Sequence, residues 1–340
     1  MRYTPERQIP FKYLIKLKGA DVSKSTQEEV RVIDLVKRYK KLVAVNQLNL
    51  TINKGDIFGL LGPNGSGKTT LINCCLSLLN YEHGEIYIFG KKMSPSAYEI
   101  KQNIGLVPQQ IACYNELNVY ENIDYFCSLY VSDSTKRKKL VEEAIDFVQL
   151  GDFRKMRPKK LSGGLQRRLN LACGIAHKPR LIFLDEPTVA VDPQSRNRIL
   201  EGIRELRDEG STIVYTTHYM EEVEMICNRL AILDHGKVLR EGTSEDIIEN
   251  SSIGETHQFE CYQLPGEVLE HFEKDPRILH VDYKDNRALT LRVVQGESYL
   301  LTILQILAKH NVEPLSVNSK KPTLNDVFLE ITGKELRDHA

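Results

Sequence analysis

Nine consecutive residues, Gly62-Pro63-Asn64-Gly65-Ser66-Gly67-Lys68-Thr69-Thr70, limit what this chain can fold into more than any other stretch. They fit the pattern Gly-x-x-x-x-Gly-Lys-Ser/Thr. The apolar run Ile57 to Leu61 before them reads as a buried strand, and Leu71, Ile72 and Leu76 begin a helical pattern after them. Strand, glycine turn and helix together give the motif its physical meaning. Glycines let backbone N–H groups wrap a polyphosphate, and the helix start adds unpaired donors and the positive end of its dipole. In that frame Lys68 reaches the β- and γ-phosphates and the Thr69 hydroxyl sits on Mg²⁺.

Further groups follow. Leu181-Ile182-Phe183-Leu184 is a short buried-strand run ending in Asp185-Glu186-Pro187-Thr188. Adjacent carboxylates at a strand's C-terminal end are expected to point to opposite faces, so that one serves the metal and the other a water. Thr212 to Thr217 reads as the next core strand, with His218 just past its end. The C-terminal ends of parallel strands gather on one edge of a sheet, which places His218 to meet the γ-phosphate. The other histidines, such as His83 and His177, read as structural.

Leu161-Ser162-Gly163-Gly164 opens a helix behind a basic loop, with Ser162 as N-cap. Two glycines at a helix start again leave N–H groups open to an anion. In a doubly wound fold this second phosphate-competent turn has no reason to reach the same chain's nucleotide. Tyr39 lies between two β-like runs, Val30 to Val36 and Val43 to Ile52; it is either an ordinary loop aromatic or a stacking platform for a purine. Asp192-Pro193 reads as N-cap and first residue of a helix whose buried stripe is Ile199, Leu200, Ile203 and Leu206.

Composition excludes several classes. Forty-six basic residues balance 46 acidic ones, so no net field points to nucleic acid. Seven scattered cysteines, with Cys74 beside Cys75, suggest a reducing compartment without a disulfide framework. No apolar run approaches the ~18 residues of a membrane span, so any membrane role must come through a partner.

A length of 340 residues suits one large and one small domain. The expected division is a leader over residues 1–29, a nucleotide-binding domain over 30–250 and a small module over 251–340. The leader is polar and basic; Phe11, Tyr13, Leu14 and Ile15 among Lys12, Lys16 and Lys18 make it either a loosely packed segment or a membrane-surface one. A helical stretch, roughly Val119 to Leu150, interrupts the α/β alternation as an inserted helical subdomain would, over about residues 110–178. Beyond Ser251, strands are expected at Phe259–Leu264, Ile278–Tyr283, Ala288–Val294 and Leu315–Val317. Helices are expected at Glu267–Phe272, Ser298–Asn311 and Thr323–Ile331. That β-α-β-β-α-β order plus a helix suggests a ferredoxin-like module.

Taken together these residues resemble the nucleotide-binding subunit of ATP-binding-cassette (ABC) transporters, over about Val30 to Asp246 and with the signals in one order. The resemblance implies an α/β fold of the P-loop NTPase type: a parallel core sheet, an antiparallel β subdomain and a helical subdomain. It implies ATP and Mg²⁺, a homodimer, no nucleic acid and an integral membrane permease subunit that holds the chain at the cytoplasmic face of the membrane. It makes Gln109 the loop glutamine that joins the Mg²⁺ shell and senses the membrane partner. It makes Ser162, Gly163 and Gly164 the family signature acting across the dimer, and Asp192 the acid that crosses the same interface. Asp185 becomes the metal-side aspartate, Glu186 the catalytic glutamate, His218 the switch histidine and Tyr39 the adenine-stacking aromatic. The usual signature is Leu-Ser-Gly-Gly-Gln; here Leu165 stands fifth and Gln166 follows. Leu165 to Leu169, with the tail Pro322 to Glu330, looks like the daunorubicin-type branch of drug and antibiotic exporters. That branch implies export of a drug-like, antibiotic, lipid or polymer cargo. A soluble ABC ATPase acting on ribosomes or DNA is the rival reading; the ribosome-acting branch carries two cassettes and the DNA-repair branch a long coiled coil, and this chain has neither.

Overall fold

Ile57–Leu61, Leu181–Asp185 and Thr212–Thr216 are buried at every residue. A strand apolar on both faces needs cover on both, which a central parallel sheet between two layers provides. The computed structural model of the protein describes residues 27–295 and 299–333. The leader, except for its last three residues, and Ser298 lie outside the described residues.

In chain order the first elements are β1 (Glu28–Tyr39), β2 (Leu42–Asn53), β3 (Ile57–Leu61), α1 (Lys68–Cys75), β4 (His83–Ile88), β5 (Lys91–Lys92), α2 (Tyr98–Lys101) and β6 (Ile104–Val107). Then come α3 (Val119–Ser128), α4 (Ser134–Phe147), α5 (Gly163–Ile175), β7 (Leu181–Asp185), α6 (Pro193–Asp208), β8 (Thr212–Thr216), α7 (Met220–Ile226), β9 (Arg229–Asp234) and β10 (Lys237–Gly242). The last are α8 (Ser244–Glu249), β11 (Ile253–Glu260), α9 (Gly266–Lys274), β12 (Ile278–Lys284), β13 (Ala288–Val294), α10 (Leu300–Lys309), β14 (Ser316–Lys320) and α11 (Leu324–Thr332).

The core sheet runs β10-β9-β3-β8-β7-β6, parallel except where β10 turns back on β9. Alternate residues feed opposite layers. Ile57, Ile182, Leu184, Ile213 and Tyr215 face a helical layer with Ile123, Val141, Leu169 and Ile203. Phe58, Leu60, Phe183 and Val214 face α1 and the antiparallel sheet β2-β1-β4-β5, meeting Leu71, Ile72, Leu48 and Ile86. Register levels the strand ends: Thr216 of β8 is opposite both Leu60 of β3 and Asp185 of β7. The loops after these three strands therefore open side by side.

The helical stretch expected between Val119 and Leu150 is two helices. Asp133 takes an extended conformation and its carboxylate accepts the Lys136 N–H at 2.7 Å, starting α4 afresh. The break turns Val141, Ala144 and Ile145 of α4 back onto the core that holds Ile123 and Cys127 of α3.

The third sheet has the antiparallel order β12-β13-β11-β14, with α9 and α10 over Phe259, Leu289 and Leu291. Its first strand lies earlier than the sequence suggests, at Ile253–Glu260 rather than Phe259–Leu264. The chain leaves the sheet after Glu260, Gln263 takes a left-handed φ of 44°, and Pro265 starts α9. Helix α11 returns to the core-sheet side, where Leu324, Val327 and Phe328 are buried with Met220 and Val223 of α7.

Candidate functional site

The loop after β3 is shaped by what its glycines must approach. A Cβ on Gly62 would stand 2.3 Å from the Leu233 carbonyl oxygen. One on Gly67, where φ is 110°, would stand 2.4 Å from the Ala44 carbonyl oxygen. Only glycine fits either place. No side chain caps the start of α1 at Gly67, so the first-turn N–H groups are left for an anion. Lys68 is 6% exposed, and its Nζ donates to the carbonyls of Gly62 at 2.7 Å and Pro63 at 3.2 Å.

Over this turn lies a cavity of about 420 Å³ lined by Tyr39, Leu42, Ala44, Asn64, Gly65, Gly67, Lys68, Thr69, Thr70, Gln109 and Glu186. Tyr39 ends β1 directly opposite Leu42, and both are exposed at its rim. The Lys37 ammonium stands 5.2 Å from the Tyr39 ring centre. Leu42 and Ala44 escaped the sequence reading because only the β1–β2 register brings them beside the glycine turn.

Asp185 and Glu186 are 5% and 7% exposed. Thr69 Oγ1 donates to Asp185 Oδ2 at 3.0 Å, and Thr216 Oγ1 donates to Asp185 Oδ1 at 2.6 Å. The two carboxylates do diverge, but strand alternation is not the cause. β7 ends at Asp185, and Glu186 turns off it with a left-handed φ of 49°. That conformation costs a non-glycine residue roughly 1–2 kcal/mol. It is held by the Glu186 N–H, which donates to Thr216 Oγ1 at 3.0 Å and to the Thr216 carbonyl at 3.2 Å. Thr216 is a site residue the sequence did not mark, because a threonine in a β-branched run reads as a strand former.

Glu186 Oε2 accepts from Gln109 Nε2 at 2.8 Å, and Oε1 lies 3.7 Å from His218 Nδ1. The His218 contact, above the opposing effect of burial, holds the Glu186 carboxyl below the usual glutamate range. Gln109 touches Glu186 rather than Thr69 or Asp185, and its carbonyl accepts from Arg167 of α5.

Ser162, Gly163, Gly164 and Asp192 do not line this cavity; they form a second group. Ser162 caps α5 through Leu165 N–H at 3.3 Å, and Asp192 caps α6 through Ser195 N–H at 2.9 Å. That Ser195 bond is the main reason the Asp192 carboxyl sits below its ordinary range. A Cβ on Gly164 would meet Asp192 Oδ2 at 3.1 Å, so the two turns are in contact. Gln166, displaced one place from the usual signature, donates inward to the carbonyls of Pro158 and Leu161.

A family model described as ABC transporter matches residues 45–189. The linearmycin resistance ATP-binding protein LnrL of Bacillus subtilis (strain 168) is 35% identical over 319 residues, which is 90% of this chain and 98% of that protein. The chain belongs to the ABC transporter family. It is an ATP-binding and ATP-hydrolysing subunit that powers transmembrane transport. Other relatives cover the chain as fully. The Nod factor export ATP-binding protein I of Sinorhizobium fredii (strain NBRC 101917 / NGR234) is 33% identical over 94% of this chain and 91% of its own length. The daunorubicin resistance ATP-binding protein DrrA3 of Streptomyces coeruleorubidus is 31% identical over 88% and 95%.

Among solved structures, the ABC fold matches the dimeric, post-hydrolysis cassette MJ0796 bound to ADP and Pi. The TM-score is 0.59 at 29% identity, over 63% of this chain and 98% of that one. The cbiO1 subunit of Clostridium perfringens, at 24% identity and a TM-score of 0.61, matches in fold.

Proposed function

We propose that two copies of this ABC subunit clamp ATP between them and drive export of a drug-like, antibiotic, lipid or polymer cargo through a separate integral membrane permease. The loop Gly62 to Thr70 takes the phosphates, and Lys68 turns from its own carbonyls to the β- and γ-oxygens. Tyr39 stacks on the adenine. Thr69 and Asp185 would hold Mg²⁺, and Gln109 would join them on leaving the Glu186 carboxylate it donates to here. The fit rests on the donor set: a hydroxyl and a buried carboxylate oxygen 3.0 Å apart are hard ligands. Among the described residues no group of three or more His, Cys, Asp or Glu stands ready to hold a metal alone. The remaining ligands would be phosphate and water, as Mg²⁺ prefers. When bound, the ion neutralises charge on the phosphate oxygens.

Glu186, kept ionised beside His218, polarises the attacking water, and His218 holds it in line with the γ-phosphate. The observation that carries this reading is the levelling of Leu60, Asp185 and Thr216, which brings glycine turn, carboxylates and histidine to one sheet edge. Ser162, Gly163, Gly164 and Asp192 complete the pocket of the partner copy. That they do not line their own chain's cavity supports that assignment, as does the likeness to a dimeric cassette. Two such sites form together when the pairing is isologous. No helix among the described residues is long and apolar enough to cross a membrane; in this reading the permease holds the chain at the cytoplasmic face.

Glu186→Gln tests the assignment. ATP binding should persist, ATP should hold the variant as a dimer in size-exclusion chromatography, and hydrolysis should fall by roughly 10²-fold or more. Hydrolysis at the parental rate would remove Glu186 from the mechanism.

A further inference from the structure

Helix α7 begins two residues after His218 and carries a carboxylate that the chemistry described so far does not use. Glu222 is 2% exposed. Its Oε2 accepts three hydroxyl hydrogen bonds: from Thr188 at 3.0 Å, Tyr215 at 2.7 Å and Thr217 at 2.7 Å. Its Oε1 lies 3.5 Å from Arg196 Nε of α6. Three of these partners stand within two residues of a residue of the hydrolytic site, and the fourth, Arg196, reaches one through Tyr219. Thr188 is two residues past Glu186 in the loop that follows the left-handed turn. Tyr215 precedes Thr216, which grips Asp185 and the Glu186 N–H. Thr217 precedes His218, and its hydroxyl also accepts the Tyr219 N–H at 3.0 Å. The Arg196 guanidinium lies 4.4 Å from the Tyr219 ring centre, and that ring leans on His218 at 4.2 Å between centroids.

We propose that Glu222 is a positioning residue for ATP hydrolysis: one buried carboxylate that ties the loop carrying Glu186 to the segment carrying His218. A carboxylate suits the place because three hydroxyls donate to one of its oxygens, a guanidinium stands 3.5 Å from the other, and it supplies only acceptors. Three hydroxyls on a single carboxylate oxygen leave little freedom to the loop after β7 and the end of β8 to which they belong, and charge-assisted hydrogen bonds are the strong ones. Glutamine has the same shape but cannot match this. Its amide nitrogen must face either Arg196, donor against donor, or the three hydroxyls, each of which would have to turn from donating to accepting. The distance between Glu186 and His218 would then be set by two independently mobile segments, and misplacement of that kind slows chemistry without removing ligand contacts. The three hydrogen bonds and the ion pair of Glu222 go to residues outside the glycine turn, so nucleotide affinity should stay with Lys68 and that turn.

The proposal rests on the roles assigned to Glu186 and His218, and its test separates the two. In the purified full-length chain, Glu222→Gln should lower kcat for ATP by about tenfold or more while the ADP dissociation constant stays within about twofold of the parent. Adding Glu222→Gln to His218→Ala should change the residual rate by less than about twofold, because both act through the same geometry. Thr188→Val keeps the charge, removes one donor and should lower kcat by about threefold with ADP binding unchanged. A parental kcat in Glu222→Gln would overturn the proposal. So would equal losses of kcat and ADP affinity, or full additivity with His218→Ala. If Glu222→Gln does not fold and Thr188→Val turns over like the parent, the carboxylate serves stability alone and the proposal is wrong. Glu186→Gln run alongside reports on the underlying assignment by itself: a dead Glu186→Gln with a normal Glu222→Gln sinks only the positioning role.

Discussion

Thr216→Val isolates the hydroxyl that supports both carboxylates while keeping the strand's packing. Valine has nearly the volume of threonine and suits a β-strand, and Thr216 is 0% exposed, so the change makes no cavity and no strand defect. It removes the 2.6 Å donor to Asp185 Oδ1. At 5% exposure Asp185 has little water to replace that donor, and a hydrogen bond to a charged group is worth about 1.5–3 kcal/mol. The Glu186 N–H keeps the Thr216 carbonyl at 3.2 Å, so no backbone group is orphaned and the loss stays within that range. Chemical denaturation should therefore show roughly 1.5–3 kcal/mol of destabilisation. Asp185 keeps only Thr69 among these two holders and gains freedom at the position proposed for the metal. ATP hydrolysis should fall by about tenfold, with an increased requirement for magnesium in a titration at saturating ATP. A stability loss under about 0.5 kcal/mol together with parental turnover would refute the claim that Thr216 fixes Asp185.

Two other outcomes follow from groups away from the nucleotide. His177 stacks on Tyr130 with ring centres 3.8 Å apart, and burial holds its imidazole down to about 4. Its folded value lies below the unfolded one, so its contribution is complete above pH 6.5 and is lost as pH falls from there toward 4. His177→Gln, which keeps a donor for the Ile104 carbonyl, should flatten the stability–pH profile in that window by roughly 2–3 kcal/mol; an unchanged slope in denaturation midpoints would exclude it. Phe328→Ala empties a fully buried site between α11 and α7 and should cost about 3–5 kcal/mol by equilibrium unfolding; a loss under about 1 kcal/mol would mean that the terminal helix does not depend on that ring.

How far the site was legible follows from which residues carry a signal of their own. Gly62 to Thr70 could be read because glycine spacing and a following lysine have few other uses, and the structure gives the reason in the carbonyls of Leu233 and Ala44 that leave no room for a Cβ. Asp185, Glu186 and His218 could be read because each stands where an apolar run stops. Thr188, Thr216, Thr217 and Glu222 could not. In sequence they are strand formers, a loop residue and one acid of a polar helix, and their meaning arises from the register of β7 on β8 and the fold-back of α7. The same limit explains the divergence of the two carboxylates. Alternation along a strand predicts it, yet the strand ends one residue too early, and the direction of Glu186 comes from a left-handed turn that the Thr216 hydroxyl and carbonyl hold in place. A strained turn of this kind persists only where its surroundings fix it, so the residues that make Glu186 point at His218 are the ones whose types say least when read alone.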